Sequence, residues 1–195
     1  MPLGGHGGRE RFVSLSLDGY VLLHELDFNK EEVVGSVTAS LQLDLDPAKN
    51  ETVSTLAVCD RKEYVLVEVG GFPGKSNHLK YPTHSRMVIV KIEGKLLIKK
   101  ASVVVYSEEI GRKRILRCGG YSGRHIVWVG LTSNLGELDG IVQLYDYDLE
   151  AGELRELQEE RISHEEYHPG QMHRIGTSFY FTGGKGKLMR LRVIC

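Results

Sequence analysis

Surplus charge of either sign is missing from this sequence. Twenty-five Lys and Arg against 26 Asp and Glu leave a net charge of −1, which argues against a nucleic-acid binder, whose affinity rests on excess cations. No run approaches the roughly 20 apolar residues that span a bilayer, so no membrane insertion is expected. The opening residues, Met1-Pro2-Leu3-Gly4-Gly5-His6-Gly7-Gly8, have no apolar signal core. The three cysteines, Cys59, Cys118 and Cys195, form an odd, widely spaced set with no CxxC pair. They read as free thiols of a cytoplasmic or nuclear protein, with Cys59 and Cys118 packed as small apolar groups. There is no G-x-S-x-G elbow to anchor a serine nucleophile, and nothing calls for a cofactor. Proline is scarce, five in 195 residues.

What the chain does have is glycine, 23 residues scattered between short β-rich runs. Apolar runs of four to eight residues recur at 12–17, 20–26, 53–58, 64–69, 87–92, 101–106, 115–118, 126–131, 141–147, 178–182 and 188–193. Val, Ile, Leu and Tyr dominate them, and Gly, Asp, Asn or charged pairs separate them. That is the pattern of many short antiparallel strands in a meander, because parallel pairs need long crossovers. Residues 150–168 are rich in helix formers but keep no 3.6-residue apolar face, and Pro169 would end a helix there. A strand over 154–157 followed by an acidic loop is expected instead.

The chain also repeats itself. Leu17-Asp18-Gly19-Tyr20-Val21-Leu22-Leu23-His24 aligns with Leu138-Asp139-Gly140-Ile141-Val142-Gln143-Leu144-Tyr145, and looser copies start near residues 86 and 186. Each copy follows a strand carrying or leading into small residues, among them Gly70-Gly71, Gly119-Gly120 and Gly183-Gly184. The Asp-Gly and Lys-Gly pairs suit tight turns that need positive φ. Spacings of 67, 54 and 46 between the copies fit the span of four-stranded propeller blades. About fourteen strands are expected: three in the first unit, four in each of the next two and three in the last.

These units resemble WD-repeat propeller blades. Gly5-His6, then residues 12–17, then Asp18-Gly19-Tyr20-Val21-Leu22-Leu23-His24-Glu25 resembles the family's GH, strand and DG-x-V-x-L-W-D ending. Residues 168–188 resemble a second copy, and the Gly-Gly doublets are similar to those of kelch blades. The terminal Trp-Asp is His24-Glu25, Tyr145-Asp146 and Leu191-Arg192 here, so the family's Asp–His–Ser/Thr–Trp network is incomplete. The resemblance implies an all-β, propeller-type array of three to four four-stranded antiparallel blades, one repeat domain over 1–195 with blades near 9–46, 51–108, 112–160 and 167–195. It implies a non-catalytic scaffold that binds protein partners through loop-bearing rims and the central axis. Fewer blades than a typical ring holds means part of a longer protein, a ring completed by a second copy or a partner, or a compact four-bladed form. An open end would leave an exposed strand edge, and self-association through the terminal strands is the expectation that follows.

Several residues compete for a function. The segment 72–85 carries Phe72, His78, Lys80, Tyr81 and His84, aromatic anchors among cations, as an interaction loop would. Arg112, Lys113 and Arg114 lie in a stretch, 91–117, of net charge +5, while 146–166 carries −7. Opposed patches of this kind can steer docking. His164-Glu165-Glu166-Tyr167-His168 spells H-E-x-x-H, two zinc ligands and a general base when on a helix. His173 is a possible third ligand, one position off the extended pattern. A zinc-dependent hydrolase through His164, His168 and Glu165 is therefore one alternative, and a small-ligand-binding propeller another. Gly70-Gly71-Phe72-Pro73-Gly74-Lys75-Ser76 ends like a phosphate loop but lacks the first glycine at the right spacing and a following helix. It reads as an inter-strand loop.

Overall fold

The computed structural model describes residues 2–59, 63–71, 84–106, 112–122, 125–134, 140–162, 172–175, 178–182 and 188–192. The described residues form fifteen strands and one 3₁₀ turn at Pro47–Lys49. The strands make four antiparallel meanders in chain order. The first sheet is β1 (Pro2–His6), β2 (Arg9–Leu15), β3 (Tyr20–Asp27) and β4 (Val34–Gln42). The second is β5 (Glu51–Val58), β6 (Tyr64–Gly71), β7 (His84–Glu93) and β8 (Leu96–Tyr106). The third is β9 (Arg112–Ser122), β10 (His125–Asn134), β11 (Gly140–Asp148) and β12 (Glu153–Ile162). The fourth has three strands, β13 (Met172–Ile175), β14 (Ser178–Thr182) and β15 (Leu188–Arg192).

The sheets stack face on face, and the period-two alternation of each strand decides which side chain enters which seam. In β6, Val65, Val67 and Val69 join Val13, Val21 and Leu23 of the first sheet in one core. The intervening Tyr64 and Leu66 join Ile126, Trp128, Tyr145 and Tyr147 of the third sheet in another, where Trp128 stacks on Tyr145 at 5.6 Å. Every residue of β6 is consequently buried. A sheet with both faces covered needs apolar residues at both parities, which is why 64–69 reads as a near-continuous apolar run. On the far face of the third sheet Val127 and Leu144 are buried as well, and β13 of the fourth sheet lies against β9. This is the radial stacking of a propeller-type array.

The sequence repeat falls on β3, β7, β11 and β15, the third strand of every sheet. A second repeat is visible only in the register. The first strands of the first three sheets each hold one unpaired extra residue, Leu3, Ser54 and Arg117. The fourth strands slip register too, once in the first and third sheets, at Thr38 and Leu157, and twice in the second, at Lys100 and Val105. Such bulges bend a strand and interrupt its pairing edge.

Two expectations change. The first sheet has four strands rather than three, because Pro2–His6 pairs with β2 through a turn at Gly7 and Gly8, both at positive φ. The acidic loop expected after residue 157 is strand through Ile162. It is an outer strand bonded along β11, so a run of charged side chains is tolerated there. In the Asp18-Gly19 turn the expected positive φ is present, +87° at Gly19, and a Cβ there would lie 2.8 Å from Leu45.

Candidate interaction rim

Each sheet is left at the end of its fourth strand and the next entered at its first, so the β4–β5 and β8–β9 junctions lie at the same end as the β6–β7 junction. This rim therefore gathers Gln42, Glu51, Gly71, His84, Tyr106 and Arg112 from elements that the sequence separates widely. Its organising group is a carboxylate. Glu51 opens β5 next to Gly71, and Gly71 pairs in turn with His84. Glycine at the middle position lets the His84 ring cross β6 to reach Glu51; a Cβ on Gly71 would overlap that ring.

Four donors converge on Glu51. Oε1 accepts from Arg86 Nε at 2.9 Å and pairs with His84 Nε2 at 3.2 Å. Oε2 accepts from Arg86 Nη2 at 2.8 Å and from the Asp46 backbone N–H at 2.9 Å. The Glu51 side chain is 3% exposed and Arg86 14%, so the fork is shielded from water. Burial alone would raise the Glu51 carboxyl, but the Arg86, Asp46 and His84 hydrogen bonds, with the Arg86 charge, outweigh it and hold the pKa at about 2. Arg86 also donates to the Asp44 carbonyl at 3.0 Å and to Ser102 Oγ at 2.9 Å. Lys99 Nζ binds Asp44 Oδ2 at 2.6 Å and lowers that carboxyl. The segment between β4 and β5 is thus fastened to β5, β7 and β8. Deeper in the second sheet the buried Glu68 accepts from Ser54 Oγ at 3.1 Å and Ser85 Oγ at 3.3 Å.

The opposite rim is tied more loosely. Arg11 Nη1 donates to the Gly94 carbonyl at 2.9 Å across the first seam, and Arg9 pairs with Glu25 and Asp27 at 3.4 and 3.5 Å. An open cleft of about 440 Å³ lies there, lined by residues that include His6, Arg9, Arg11 and Glu25. His125 Nδ1 contacts both Asp146 oxygens at 3.0 and 3.1 Å. Asp148 folds the next turn by accepting from the Glu150 and Ala151 N–H groups at 2.9 and 3.1 Å. On the first sheet, His24 stacks on Phe12 with ring centroids 4.4 Å apart and lies 2.7 Å from Ser14 Oγ.

Of the sequence candidates, His84 has its surroundings described: it is 18% exposed and faces Glu51. Arg112, Lys113 and Arg114 open β9 opposite Asn134, Ser133 and Thr132. Phe72, His78, Lys80 and Tyr81 lie outside the described residues, as do His164, Glu165 and His168. His173 pairs with Tyr180 in the backbone register. Among the described residues no group of three or more His, Cys, Asp or Glu could hold a metal ion, and no helix is long and apolar enough to cross a membrane. The two charged stretches are partly consumed inside the fold. Lys91 and Lys99 pair with Glu93 and Asp44, and Asp146 and Asp148 are buried. Glu51, Gly71 and Arg86 were not legible as a site, although the Gly70-Gly71 doublet marks the place where β6 had to give way.

No protein-family model matches the sequence, and no curated protein matches it. Among solved structures, the Cps50 (Swd1) β-propeller domain of Myceliophteria thermophila superposes with a TM-score of 0.36 at 13% identity, over 92% of this chain and 66% of that one. The Nup133 β-propeller domain of Vanderwaltozyma polyspora superposes with a TM-score of 0.58 at 9% identity, over 95% of this chain and 52% of that domain. At such identity the likeness speaks for fold alone: the chain is an arc of β-propeller architecture that spans about half the length of the Nup133 domain.

Proposed function

We propose that the chain is a non-catalytic, WD-repeat-like platform for protein–protein assembly, working in the cytoplasm or nucleus through the rim that carries His84 and the start of β9. The observation that carries this reading is the gathering of the β4–β5, β6–β7 and β8–β9 junctions at one end, on a foundation that the Glu51–Arg86 fork makes rigid. Rigid scaffolds under variable loops are a common way to build recognition surfaces. In this reading Phe72, His78, Lys80 and Tyr81 supply anchors and cations for a protein partner, and Arg112, Lys113 and Arg114 add further charge. Self-association through the terminal strands belongs to the same reading.

The test is quantitative affinity capture with the full chain and with a Lys80→Glu/Tyr81→Ala variant. A discrete set of proteins held by the parent and released by the variant is expected; an unchanged set refutes the rim. Metal analysis of the purified chain with His168→Ala as control runs beside it, and stoichiometric zinc lost in that variant would replace the platform with a zinc enzyme.

A further inference from the structure

Two arginines of this chain bridge neighbouring segments, and only one of them has found a carboxylate. Arg86 offers the Nε–Nη2 edge of its guanidinium to both oxygens of Glu51, while its Nη1 goes to Ser102. Arg11 gives Nη1 to the Gly94 carbonyl at 2.9 Å, across the first seam in the turn between β7 and β8. Its Nε–Nη2 edge meets no acceptor among the described residues. Glu25 is its register partner, yet the Glu25 carboxylate turns to Arg9 Nη1 at 3.4 Å. A half-buried guanidinium with that edge open is shaped for two oxygens of one oxyanion.

Register sets what surrounds it. His6 pairs with Arg9 and Gly4 with Arg11; Arg9 and Arg11 lie opposite Asp27 and Glu25. All share the face that carries Val13 and Leu23 into the first core, so they form the polar mouth of a dry seam. The cleft of about 440 Å³ opens at this mouth. The Arg9 side chain is 54% exposed, against 18% for Glu25 and 17% for Asp27, so the cations stand toward solvent and the carboxylates beneath them. β1 is the edge strand of its sheet, and alternate N–H groups of an edge strand point away from its neighbour. Gly4 and Gly5 leave that edge bare, and Gly5 can carry no side chain, because a Cβ there would overlap the Arg9 carbonyl.

We propose that this cleft binds a small molecule bearing a carboxylate or phosphate group, two of whose oxygens sit on the Nε–Nη2 edge of Arg11 with Arg9 and His6 flanking them. Carboxylate and phosphate offer a guanidinium the same pair of oxygens, so the site accepts either. The Arg86–Glu51 fork is the same contact made within the chain. A cleft of this size falls within the range of about 300–1,000 Å³ typical of small-molecule sites, more than one acidic side chain from a partner would fill. The site lies at the end of the sheets opposite His84 and the start of β9, and adds a ligand to the platform without drawing on its rim.

The test is an NMR titration of the full chain at physiological ionic strength with inorganic phosphate, with citrate and with a short polyglutamate peptide. Phosphate or citrate should shift the Gly4 and Gly5 amides and the Arg11 Nε–H saturably. Arg11→Lys keeps the charge and a donor for Gly94 but loses the fork, and should weaken binding at least about tenfold. His6→Ala, at an exposed position, should weaken it at least about threefold and decides the matter if circular dichroism shows that Arg11→Lys loses its strands. Lys49→Ala removes an exposed cation at the other end of the sheets and should leave the affinity unchanged. Absence of saturable shifts, an affinity that survives Arg11→Lys in a folded chain, or an equal loss with Lys49→Ala overturns the proposal. Saturation by polyglutamate alone, with phosphate and citrate ineffective, overturns it in favour of an acidic protein partner.

Discussion

Replacing Glu51 by Gln keeps the shape of the side chain and one acceptor, and removes the charge at the centre of the rim. The Glu51 carboxyl sits at about 2 against an ordinary value of 4.5. At about 1.4 kcal/mol per pKa unit, ionisation of this group contributes about 3 kcal/mol to stability at neutral pH. Removing one partner of a shielded ion pair costs about 3–5 kcal/mol in other proteins, so two routes reach the same size. A carboxyl with a depressed folded pKa stabilises above its unfolded value and loses that contribution as pH falls through the folded one. The expected gap between parent and Glu51→Gln in urea unfolding, at fixed protein concentration, is therefore about 3 kcal/mol at pH 7. It shrinks to roughly half by pH 3 and closes toward pH 1. A gap that is the same at pH 3 as at pH 7, or below about 0.5 kcal/mol at neutral pH, would refute the account of Glu51 as a charged fastening.

Gly71→Ala should destabilise by about 1–3 kcal/mol, because the new methyl displaces His84; His84→Ala in the same background should recover part of the loss in urea titrations. Ile89→Ala empties a fully buried site in the second seam and should cost about 2–5 kcal/mol by the same measurement. Gly19→Ala should cost more than Gly94→Ala. Both glycines have positive φ, but a Cβ at Gly19 meets Leu45 while one at Gly94 meets open space, a contrast that differential scanning calorimetry resolves.

Much of the architecture was legible because alternation is a local property. The runs at 64–69 and 87–92 announce strands buried on both faces, and the Asp18-Gly19 turn announces its own φ. β1 was hidden because Leu3-Gly4-Gly5-His6 has no alternation, and its strand character comes from pairing with β2. The end of β12 was hidden because Glu159, Glu160 and Arg161 resemble a solvated loop, and their geometry is set by β11. The candidate site was less legible. His84 stood out as an aromatic ring in the 72–85 segment, but its partner Glu51 lies 33 residues earlier and carries no signature of its own. Net charge over a window also misled, since it could not register that Lys99 meets Asp44 across 55 residues.

The two parities of β6 carry different cargo, slim branched chains toward one neighbour and bulkier groups toward the other. A module built this way is handed: turned around, or exchanged with the module beside it, it would offer the wrong relief to both sides. The circular order of the units is thus written into side-chain volume as well as into the covalent chain. Grafting or shuffling whole units should fail unless the facing surface of each neighbour travels with them.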